Sequence, residues 1–360
     1  MTKPVKHSVK GVRIVVGLSG GVDSAVTAAR LKEAGADVIG VFAKGWYPPG
    51  LPCTWAEDRR DAMRVAAHLS IPFHTLDASD EYKRYVIDYM VSEYRAGRTP
   101  NPDVMCNREV KFGALYRFAM EQGAAYFATG HYARAKDGRL YRGTDPGKDQ
   151  SYFLWAVSKE AIAKSLFPLG EMEKEETRAL AKRLMLPVAD KKDSQGICFL
   201  GPVSMDDFLR AEFGTEPGDA VDEAGTYVGR HDGVLLSTIG ERIQLVAGVP
   251  GPWYVVRKDV PENRIVVAKE HERVETIGAI RLTETNFLQE VRDGKVYEAQ
   301  YRYHGPLIQG RVRGKSFEPQ EPLHETLADG QSLVIYDGDE LIGGGIISSS
   351  ERDSQGRRDT

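Results

Sequence analysis

The stretch Gly17-Leu18-Ser19-Gly20-Gly21-Val22-Asp23-Ser24 decides the fold of the first part of the chain. It follows a short β-branched run at residues 12–16, and it precedes an alanine-rich stretch at residues 25–34 that predicts a helix. A strand that enters a helix through a glycine-rich turn presents backbone amides at the helix N-terminus, where they bind anions. The stretch therefore predicts a phosphate-binding loop.

Each polar or small residue of this loop has a chemical use. Gly20 and Gly21 let the backbone approach an anion closely. Ser19 and Ser24 add hydroxyl donors, and Asp23 is a candidate ligand for Mg²⁺. The loop lacks the Gly-Lys-Ser/Thr ending of the common P-loop. An ordinary glycine-rich turn would explain two glycines, but six residues between a strand and a helix favour the phosphate site.

The hexapeptide at residues 19–24 resembles the loop of the PP-loop pyrophosphatases. Members of that superfamily cleave ATP to AMP and pyrophosphate to activate an oxygen as an adenylate. The resemblance implies ATP as the cofactor but leaves the acceptor open, because relatives form amides, form argininosuccinate or thiolate tRNA.

The rest of the chain predicts three domains. Strands predicted at residues 12–16, 38–42, 71–76 and 125–129 alternate with helices predicted at 25–34, 55–69, 80–95 and 107–121, which is typical of an α/β fold with a doubly wound parallel sheet. Short β runs at 234–238, 253–256 and 265–268 predict a small antiparallel domain, and those at 296–303, 308–312, 332–336 and 341–347 predict a β-barrel. We expect an ATP-binding domain over 1–206, a central β-rich tRNA-binding domain over 207–272, a C-terminal β-barrel over 273–349 and a disordered tail over 350–360.

Composition excludes several classes of protein. The 48 Lys and Arg residues against 52 Asp and Glu give a net charge of −4, so only a local basic face can bind nucleic acid. Three widely spaced cysteines exclude a disulfide scaffold. No run reaches the ~18 apolar residues of a membrane span, and the apolar run near the N-terminus is too short for a signal peptide. We therefore expect no membrane partner and a cytoplasmic location.

Two cysteines lie in segments with chemical character. Asn107 is a predicted N-cap that places Cys106 at a helix N-terminus beside Arg108, and both features favour a thiolate. Cys198 follows two lysines and a glycine, which predicts an electropositive loop. Taken alone, either cysteine is more often structural. Neither belongs to a Cys-x-x-Cys pair, so a zinc site is not favoured.

Taken with the phosphate loop, these segments resemble the tRNA-specific 2-thiouridylases. The resemblance runs from Gly17 to residues 343–347 and includes residues 96–103, 128–132, 148–154 and 252–256. The sequence departs from the family's pattern at Ala43, where a methionine is usual, and at residues 300–302, where the family has Arg-Tyr-Arg.

The resemblance implies a role for each matching residue. ATP would be bound by Gly17, Leu18, Ser19, Gly20, Gly21, Val22, Asp23, Ser24, Ala43 and Gly130. The target uridine would meet Asn101, Pro102 and Asp103. Other tRNA contacts would come from His131, Lys148, Asp149, Gln150, Tyr301, Arg302 and Gln331. Cys198 would carry sulfur as a persulfide supplied by a donor protein, and Cys106 would be its partner nucleophile.

The reaction implied is adenylation of the C2 oxygen of a wobble uridine, followed by replacement of that oxygen by sulfur. Either the Cys198 persulfide or a freed hydrosulfide attacks C2, and the sequence does not choose between them. Asp103 is a candidate to orient the base or to move a proton. The alternative is that it is only a turn residue after the Asn-Pro pair. Cys53 is expected to be chemically dispensable, because transfer and resolution need two sulfurs.

Two other functions remain open from the residues. Another PP-loop ligase would need a nitrogen donor and would have no use for two reactive cysteines. A non-catalytic tRNA-binding protein would not need an intact loop. Residues 299–317 favour RNA contact, because they contain no acid and interleave cations with aromatic rings, namely Arg302, Arg311, Arg313 and Lys315 with Tyr301, Tyr303 and His304.

Overall fold

The first domain is built on a five-stranded parallel sheet. A computed structural model describes residues 9–50, 54–192, 203–246, 248–269 and 276–348; Cys53, Cys198 and the predicted tail at 350–360 lie outside these residues. The sheet order is β3-β2-β1-β4-β7, formed by β1 (Arg13–Gly17), β2 (Asp37–Lys44), β3 (Phe73–Asp77), β4 (Tyr126–Ala128) and β7 (Ser165–Leu166). All four pairings are parallel, which confirms the predicted fold class.

Helices cover both faces of this sheet. They are α1 (Val22–Glu33), α2 (Trp55–His68), α3 (Ser79–Tyr82), α4 (Asp88–Arg95), α5 (Pro102–Met105), α6 (Tyr116–Glu121), α7 (Lys159–Ala163) and α8 (Lys174–Arg183), with π-helical turns at Lys83–Ile87 and Cys106–Leu115 and a 3₁₀ turn at Ser151–Leu154. Alternate residues of β1 belong to two different cores: Val15 packs in one, and Ile14 and Val16 pack in the other. A strand buried on both faces explains the continuous apolar run in the sequence.

The second domain is a smaller sheet with the order β10-β11-β12-β8-β9. Its elements are α9 (Met205–Phe213), β8 (Gly218–Val221), β9 (Tyr227–His231), β10 (Arg242–Ile243), β11 (Trp253–Asp259) and β12 (Arg264–Ala268). One pairing, β12 with β8, is parallel, so the prediction of purely antiparallel structure is wrong there. The strand predicted at 234–238 is also wrong: Val234–Leu236 is a 3₁₀ turn, because the Val234 amide donates to the Asn263 side chain and the Leu236 amide to Gly233.

The third domain is the predicted β-barrel, which the structure confirms. Its strands are β13 (Thr276–Ile277), β14 (Ile280–Phe287), β15 (Tyr297–Gln300), β16 (Leu307–Arg313), β17 (Ser316–Pro319), β18 (Leu323–His324), β19 (Ser332–Asp337) and β20 (Glu340–Ile347). Strand β14 pairs with both β17 and β20, and this double pairing closes the ring.

A hairpin of the first domain joins the barrel sheet. It consists of β5 (Ala133–Lys136) and β6 (Arg139–Arg142), and it attaches where Tyr141 pairs with Glu340 of β20. Ion pairs Arg134–Asp339 at 2.8 Å and Arg139–Glu340 at 3.0 Å flank the junction. The barrel is therefore fixed next to the residues that follow β4. None of the helices in the described ranges is both long and apolar enough to span a membrane.

Candidate active site

The phosphate loop takes a shape that only glycine allows at residue 20. Gly20 has a φ of +78°, and a Cβ atom added there would lie 2.3 Å from the carbonyl oxygen of Asp58 in α2. Both the positive φ and the close backbone contact exclude a larger residue. The loop is thereby pressed against α2 before any ligand arrives.

Hydrogen bonds from within the loop complete it. The Ser24 hydroxyl donates to the Gly21 carbonyl at 3.1 Å and accepts from the Ser19 amide at 3.1 Å. Ser24 is buried, whereas Ser19 is exposed. Gly21 is the N-cap of α1, and glycine has no side chain that could accept a hydrogen bond from the helix N-terminus. The first amides of this 12-residue helix are therefore available to an anion.

The other residues expected to bind ATP lie at the same edge of the sheet. Gly17 ends β1, Ala43 lies near the end of β2, and Gly130 follows β4 by two residues. The strand order changes direction between β1 and β4, which is where open α/β sheets bind ligands. Gly130 packs against the start of α1, because an added Cβ would lie 2.9 Å from the Ser24 nitrogen.

Asp23 is engaged by two side chains. Both of its carboxylate oxygens accept from the Lys174 ammonium at 2.8 Å, and the Tyr132 hydroxyl donates to one of them at 3.1 Å. A single carboxylate suits Mg²⁺, which commonly takes its remaining ligands from substrate phosphates and water. Within the described ranges, no group of three or more His, Cys, Asp or Glu side chains could hold a metal without such help.

The helix that carries Cys106 begins six residues earlier than predicted. Asn101 is the N-cap, its side chain accepts from the Val104 amide at 3.4 Å, and Pro102 occupies the first turn. The predicted cap at Asn107 is therefore wrong: its side chain donates to the Phe153 carbonyl at 3.0 Å. The Asn-Pro pair was the sequence signal for this start.

This start changes the setting expected for Cys106. The cysteine lies in the second turn, is completely buried, and is beyond the first turn in which a helix dipole acts most strongly. Arg108, the other feature expected to favour a thiolate, donates to Glu109 at 2.7 Å and to Glu284 at 3.2 Å. Burial lowers the pKa of Arg108, but these two carboxylates outweigh it and raise the pKa overall. Its charge is thus already balanced.

Asp103 lies one turn before Cys106, on the same face of the helix. Its Oδ1 is buried and has no hydrogen-bond partner among the described residues, and the same holds for Oδ1 of Asn107. A buried acceptor without a donor is costly, so a donor from a bound ligand would relieve it. An N–H group such as that of a uracil ring has the right character.

His131 joins the loop edge to this helix. One ring nitrogen lies 2.8 Å from the Thr129 hydroxyl and the other 3.4 Å from the Lys111 ammonium. The ring is buried against Phe112 and Phe167. Burial, and then the Lys111 charge, hold the pKa of His131 well below its ordinary value. The imidazole is therefore neutral and enclosed, and its direct contact with tRNA stays a prediction.

The chain matches known proteins over almost its whole length. Three family models match in order: the tRNA methyl transferase HUP domain at 12–202, the tRNA methyl transferase PRC-barrel domain at 206–269 and the aminomethyltransferase beta-barrel domain at 278–347. The tRNA-specific 2-thiouridylase MnmA of Akkermansia muciniphila is 44% identical over an alignment that covers 94% of this chain and 99% of that protein. The chain belongs to the tRNA-specific 2-thiouridylase family.

Solved structures resemble the chain more distantly. The U34-tRNA thiolase NcsA from Methanococcus maripaludis with its [4Fe-4S] cluster has 19% identity, a TM-score of 0.36, and coverage of 57% of this chain and 68% of that one. A 4-thiouridine synthetase–RNA complex with bound ATP has 19% identity, a TM-score of 0.33, and coverage of 54% and 46%. At these TM-scores neither likeness bears on function.

The segment that the family pattern assigns to tRNA next to the loop is largely engaged in its own structure. Asp149 is buried and accepts from the Gly143 amide at 2.8 Å and from both the amide and the hydroxyl of Ser151 at 3.0 Å. Gln150 accepts from the Tyr132 amide at 3.0 Å. Lys148 is exposed. Contact of the Lys148 side chain with a tRNA phosphate stays a prediction.

The barrel places an aromatic residue other than the one predicted at the surface. Tyr301 is 2% exposed and packs in the barrel core with Tyr297 and Ala299, which corrects the prediction that its side chain contacts tRNA. The alternation of apolar and polar residues from Tyr297 to Tyr301, through β15 and one residue beyond it, was the sequence signal for this burial. Tyr303, two residues on, is 37% exposed.

Tyr303 belongs to an exposed aromatic cluster that faces the first domain. Its ring centroid lies 3.9 Å from that of His304 and 4.4 Å from that of Phe153. Burial, followed by the charges of Asp149 and Asp103, raises the pKa of Tyr303 to about 12. The cluster therefore lies close to the predicted uridine site at Asp103. The sequence analysis named Tyr303 only as one aromatic residue of the basic stretch at 299–317 and did not place it near that site.

Most cations of the stretch at 299–317 already have acceptors. Arg302 donates to Glu325 at 3.4 Å and to the Thr326 carbonyl at 3.1 Å, Arg311 donates to the Gly294 carbonyl at 3.1 Å, and Arg313 pairs with Glu318 at 2.8 Å. These pairs are largely exposed, and exposed pairs are weak and exchange readily. RNA contact by this stretch stays a prediction.

Gln331 contacts the first domain rather than solvent alone. Its side-chain amide donates to the carbonyl of Thr99 at 2.8 Å and to that of Pro100 at 3.3 Å. The preceding Gly330 has a φ of +92°, and an added Cβ would lie 2.9 Å from the Thr99 oxygen. The barrel thus holds the backbone that leads into Asn101.

Proposed function

We propose that this protein replaces the C2 oxygen of the wobble uridine in tRNA by sulfur, at the expense of ATP, and that 2-thiouridine, AMP and pyrophosphate are the products. The observation that carries the proposal is the physical link between two sites. Asp23 of the phosphate loop binds Tyr132, whose neighbour His131 contacts Lys111 on the helix that also carries Asp103 and Cys106. Activation of an oxygen and attack by sulfur can therefore occur in one site.

In the first step, the uridine C2 oxygen attacks the α-phosphorus of ATP and pyrophosphate leaves. The loop amides and the hydroxyls of Ser19 and Ser24 bind the phosphates, and Asp23 would hold Mg²⁺ there, which would neutralise phosphate charge. The buried Oδ1 of Asp103 accepts a hydrogen bond from the N3–H group of the uracil ring, and this bond fixes the orientation of the ring. The resulting adenylate makes C2 electrophilic and turns its oxygen into a good leaving group.

In the second step, sulfur replaces the activated oxygen. The terminal sulfur of a Cys198 persulfide attacks C2 and AMP leaves. The Cys106 thiolate then attacks the Cys198 sulfur, so that the sulfur–sulfur bond breaks, 2-thiouridine is released and a Cys106–Cys198 disulfide forms. Alternatively, Cys106 attacks the persulfide first and frees hydrosulfide. Either route requires a persulfide donor protein and a thiol reductant for the next turnover.

The three domains divide the substrate between them. We place their boundaries near residues 206 and 272, with ATP and the target base in the first domain. Lys148, Arg302 and the aromatic cluster around Tyr303 bind the rest of the tRNA anticodon arm through phosphate contacts and base stacking. A tRNA-modifying role agrees with a cytoplasmic location.

The experiment that tests the proposal is nucleoside mass spectrometry of tRNA incubated with the protein, ATP and a sulfur source. We expect ATP-dependent 2-thiouridine at the wobble position. Sulfide-independent but ammonia-dependent ATP cleavage would instead identify an amide-forming ligase, and absence of ATP–pyrophosphate exchange would identify a non-catalytic binder.

Two cysteine variants separate activation from sulfur transfer. Cys198→Ser is expected to bind tRNA and to form the adenylate without making 2-thiouridine. Cys106→Ser is expected to accept sulfur on Cys198 and to stall before release. Intact-protein mass after incubation with a sulfur donor reads this out: an adduct that persists in Cys198→Ser and vanishes in Cys106→Ser would reverse the roles. Cys53→Ser, the matched control, is expected to retain thiolation.

A further inference from the structure

The helix that carries Cys106 has two buried acceptors, and the reaction proposed above uses only one of them. Within the described ranges, four buried side-chain atoms lack a hydrogen-bond partner. Two of these are acceptors only, Oδ1 of Asp103 and Oδ1 of Asn107, whereas the other two, on Tyr89 and Arg142, can donate. Asp103 and Asn107 are four positions apart in consecutive helical turns, so both lie on the same face. Asn107 therefore adds a second acceptor to the proposed uridine site.

The amide of Asn107 is held in one orientation. The residue is 2% exposed, and its Nδ2 donates to the Phe153 carbonyl at 3.0 Å. This bond uses only the nitrogen, so it fixes the amide plane and leaves Oδ1 without a donor. A buried acceptor in that state costs stability, and the anchoring bond to Phe153 does not account for it. The unpaired oxygen points to a ligand that donates a hydrogen bond.

Asn107 lies between the two places where parts of the substrate are expected. On one side is Asp103, which orients the base in the proposed reaction. On the other side is Phe153, whose ring centroid lies 4.4 Å from that of Tyr303 in the aromatic cluster proposed to bind the rest of the anticodon arm. The ribose joins the base to the phosphate chain, so the sugar of the target nucleotide has to pass between these two places. Cys106 is also completely buried and must reach this nucleotide, so entry of the uridine has to uncover this face of the helix.

A uridine within an RNA chain has only two hydrogen-bond donors. They are the N3–H group and the ribose 2′-hydroxyl, because the 3′ and 5′ oxygens are esterified and the O2 and O4 atoms only accept. Asp103 takes the N3–H group in the proposed reaction. We propose that Oδ1 of Asn107 accepts a hydrogen bond from the 2′-hydroxyl of the target uridine and so makes the site specific for a ribonucleotide. The 2′-hydroxyl is the group by which a protein distinguishes RNA from DNA at a given site. The inference rests on the thiolation proposed above.

The test compares three tRNAs on one set of variants. Their wobble uridine carries a 2′-hydroxyl, a 2′-hydrogen or a 2′-fluorine, which cannot donate but keeps the sugar pucker of RNA. Single-turnover thiolation is measured by nucleoside mass spectrometry for the wild type, Asn107→Leu and Asn286→Leu. Asn286 is the matched control, because its Nδ2 likewise donates to backbone carbonyls, those of Trp155 at 2.7 Å and Val157 at 3.0 Å. We expect the wild type to thiolate the hydroxyl substrate about tenfold or more faster than either modified one, as for a buried acceptor that loses its donor.

The preference for the hydroxyl substrate separates substrate contact from a structural role. We expect it to fall below about twofold in Asn107→Leu and to stay near its wild-type value in Asn286→Leu, whatever the overall rates of the two variants. An unchanged preference in Asn107→Leu would overturn the proposal, because a purely structural residue slows all three substrates equally. A wild type that treats the three substrates alike, or that rejects only the 2′-hydrogen, would also overturn it, the latter because sugar pucker would then be what is recognised.

Failure of the proposed function gives a different result. A wild type that thiolates none of the three tRNAs would refute the proposed function, and this inference with it. If Asn107→Leu does not fold, Asn107→Ala decides by the same ratio of rates.

Discussion

The phosphate loop and the segment at residues 99–106 belong to the same domain but are held in different ways. The loop is closed by hydrogen bonds among Ser19, Gly21 and Ser24, which lie within six consecutive positions. The other segment is held from the barrel, where Gly330 and Gln331 contact Thr99 across more than 200 positions of sequence. One site is shaped locally and the other by a distant domain.

This difference predicts that the two half-reactions can be damaged separately. Changes in or under the loop should abolish adenylation and, with it, everything that follows. Changes in the barrel at residues 330–331 should leave ATP binding intact and impair the step that needs a well-placed uridine and Cys106. The predictions below run from the largest expected effect to the smallest.

Gly20→Ala should give the largest effect. The new Cβ would lie 2.3 Å from the Asp58 carbonyl oxygen at a φ of +78°, so the loop must move away from α2. We expect ATP affinity and ATP–pyrophosphate exchange to fall by about 100-fold or more, since backbone amides held in place supply the phosphate site. Calorimetry with ATP and an exchange assay measure this.

Gly11→Ala is the control for the backbone strain that Gly20→Ala introduces. Gly11 has a φ of +73° but an added Cβ would meet nothing within 4 Å. Both substitutions therefore cost about 1 kcal/mol of left-handed strain, and only Gly20→Ala adds a collision. Equal ATP affinity in the two variants would mean that contact with α2 does not shape the loop.

Gly330→Ala should disturb the segment at residues 99–106, which the barrel holds, and leave the phosphate loop intact. An added Cβ would lie 2.9 Å from the Thr99 oxygen and 3.2 Å from its nitrogen. We expect 2-thiouridine formation to drop about tenfold or more because the backbone before Asn101 shifts, while ATP affinity stays within about twofold. Gly338→Ala, with a φ of +58° and no neighbour within 4 Å, is the control in the same barrel. A parallel loss of ATP binding would show that the two sites are not separable.

The same contrast explains what could be predicted from the sequence. The loop was recognisable because its strand, glycines and helix are contiguous, and the parallel sheet followed from the alternation of strands and helices. The alternation of apolar and polar residues from Tyr297 to Tyr301 also indicated that Tyr301 is buried. The cations in the same stretch favoured RNA contact instead, and the prediction followed them. The junction of β6 with β20 and the contact of Gln331 with Thr99 leave no local signal, since each depends on how two domains dock.

Gln331→Ala should have a smaller effect than Gly330→Ala, because it removes two bonds without adding a collision. The 2.8 Å bond contributes about 1 kcal/mol and the 3.3 Å bond less, so we expect about a fivefold loss in the rate of thiolation at saturating tRNA. Single-turnover assays separate this rate from tRNA affinity. A loss confined to tRNA affinity, with an unchanged rate, would favour the direct tRNA contact that the family resemblance implies.

His131 lies where the two regions meet, and its titration should give the smallest effect. Burial and the Lys111 charge lower its folded pKa, so below the ordinary pKa of about 6.5 the unfolded chain takes up a proton that the native ring does not. The stability that neutral His131 contributes is therefore fully present above about pH 6.5 and is lost as the pH falls below it. His131→Asn lacks this titration, whereas both proteins share every other group. We expect the melting temperature of the wild type to fall more steeply between pH 7 and pH 5 than that of the variant. If the melting temperatures of the two proteins fall equally with pH, the folded protein binds the proton on His131 as readily as the unfolded chain does, and the ring is not held neutral by its surroundings.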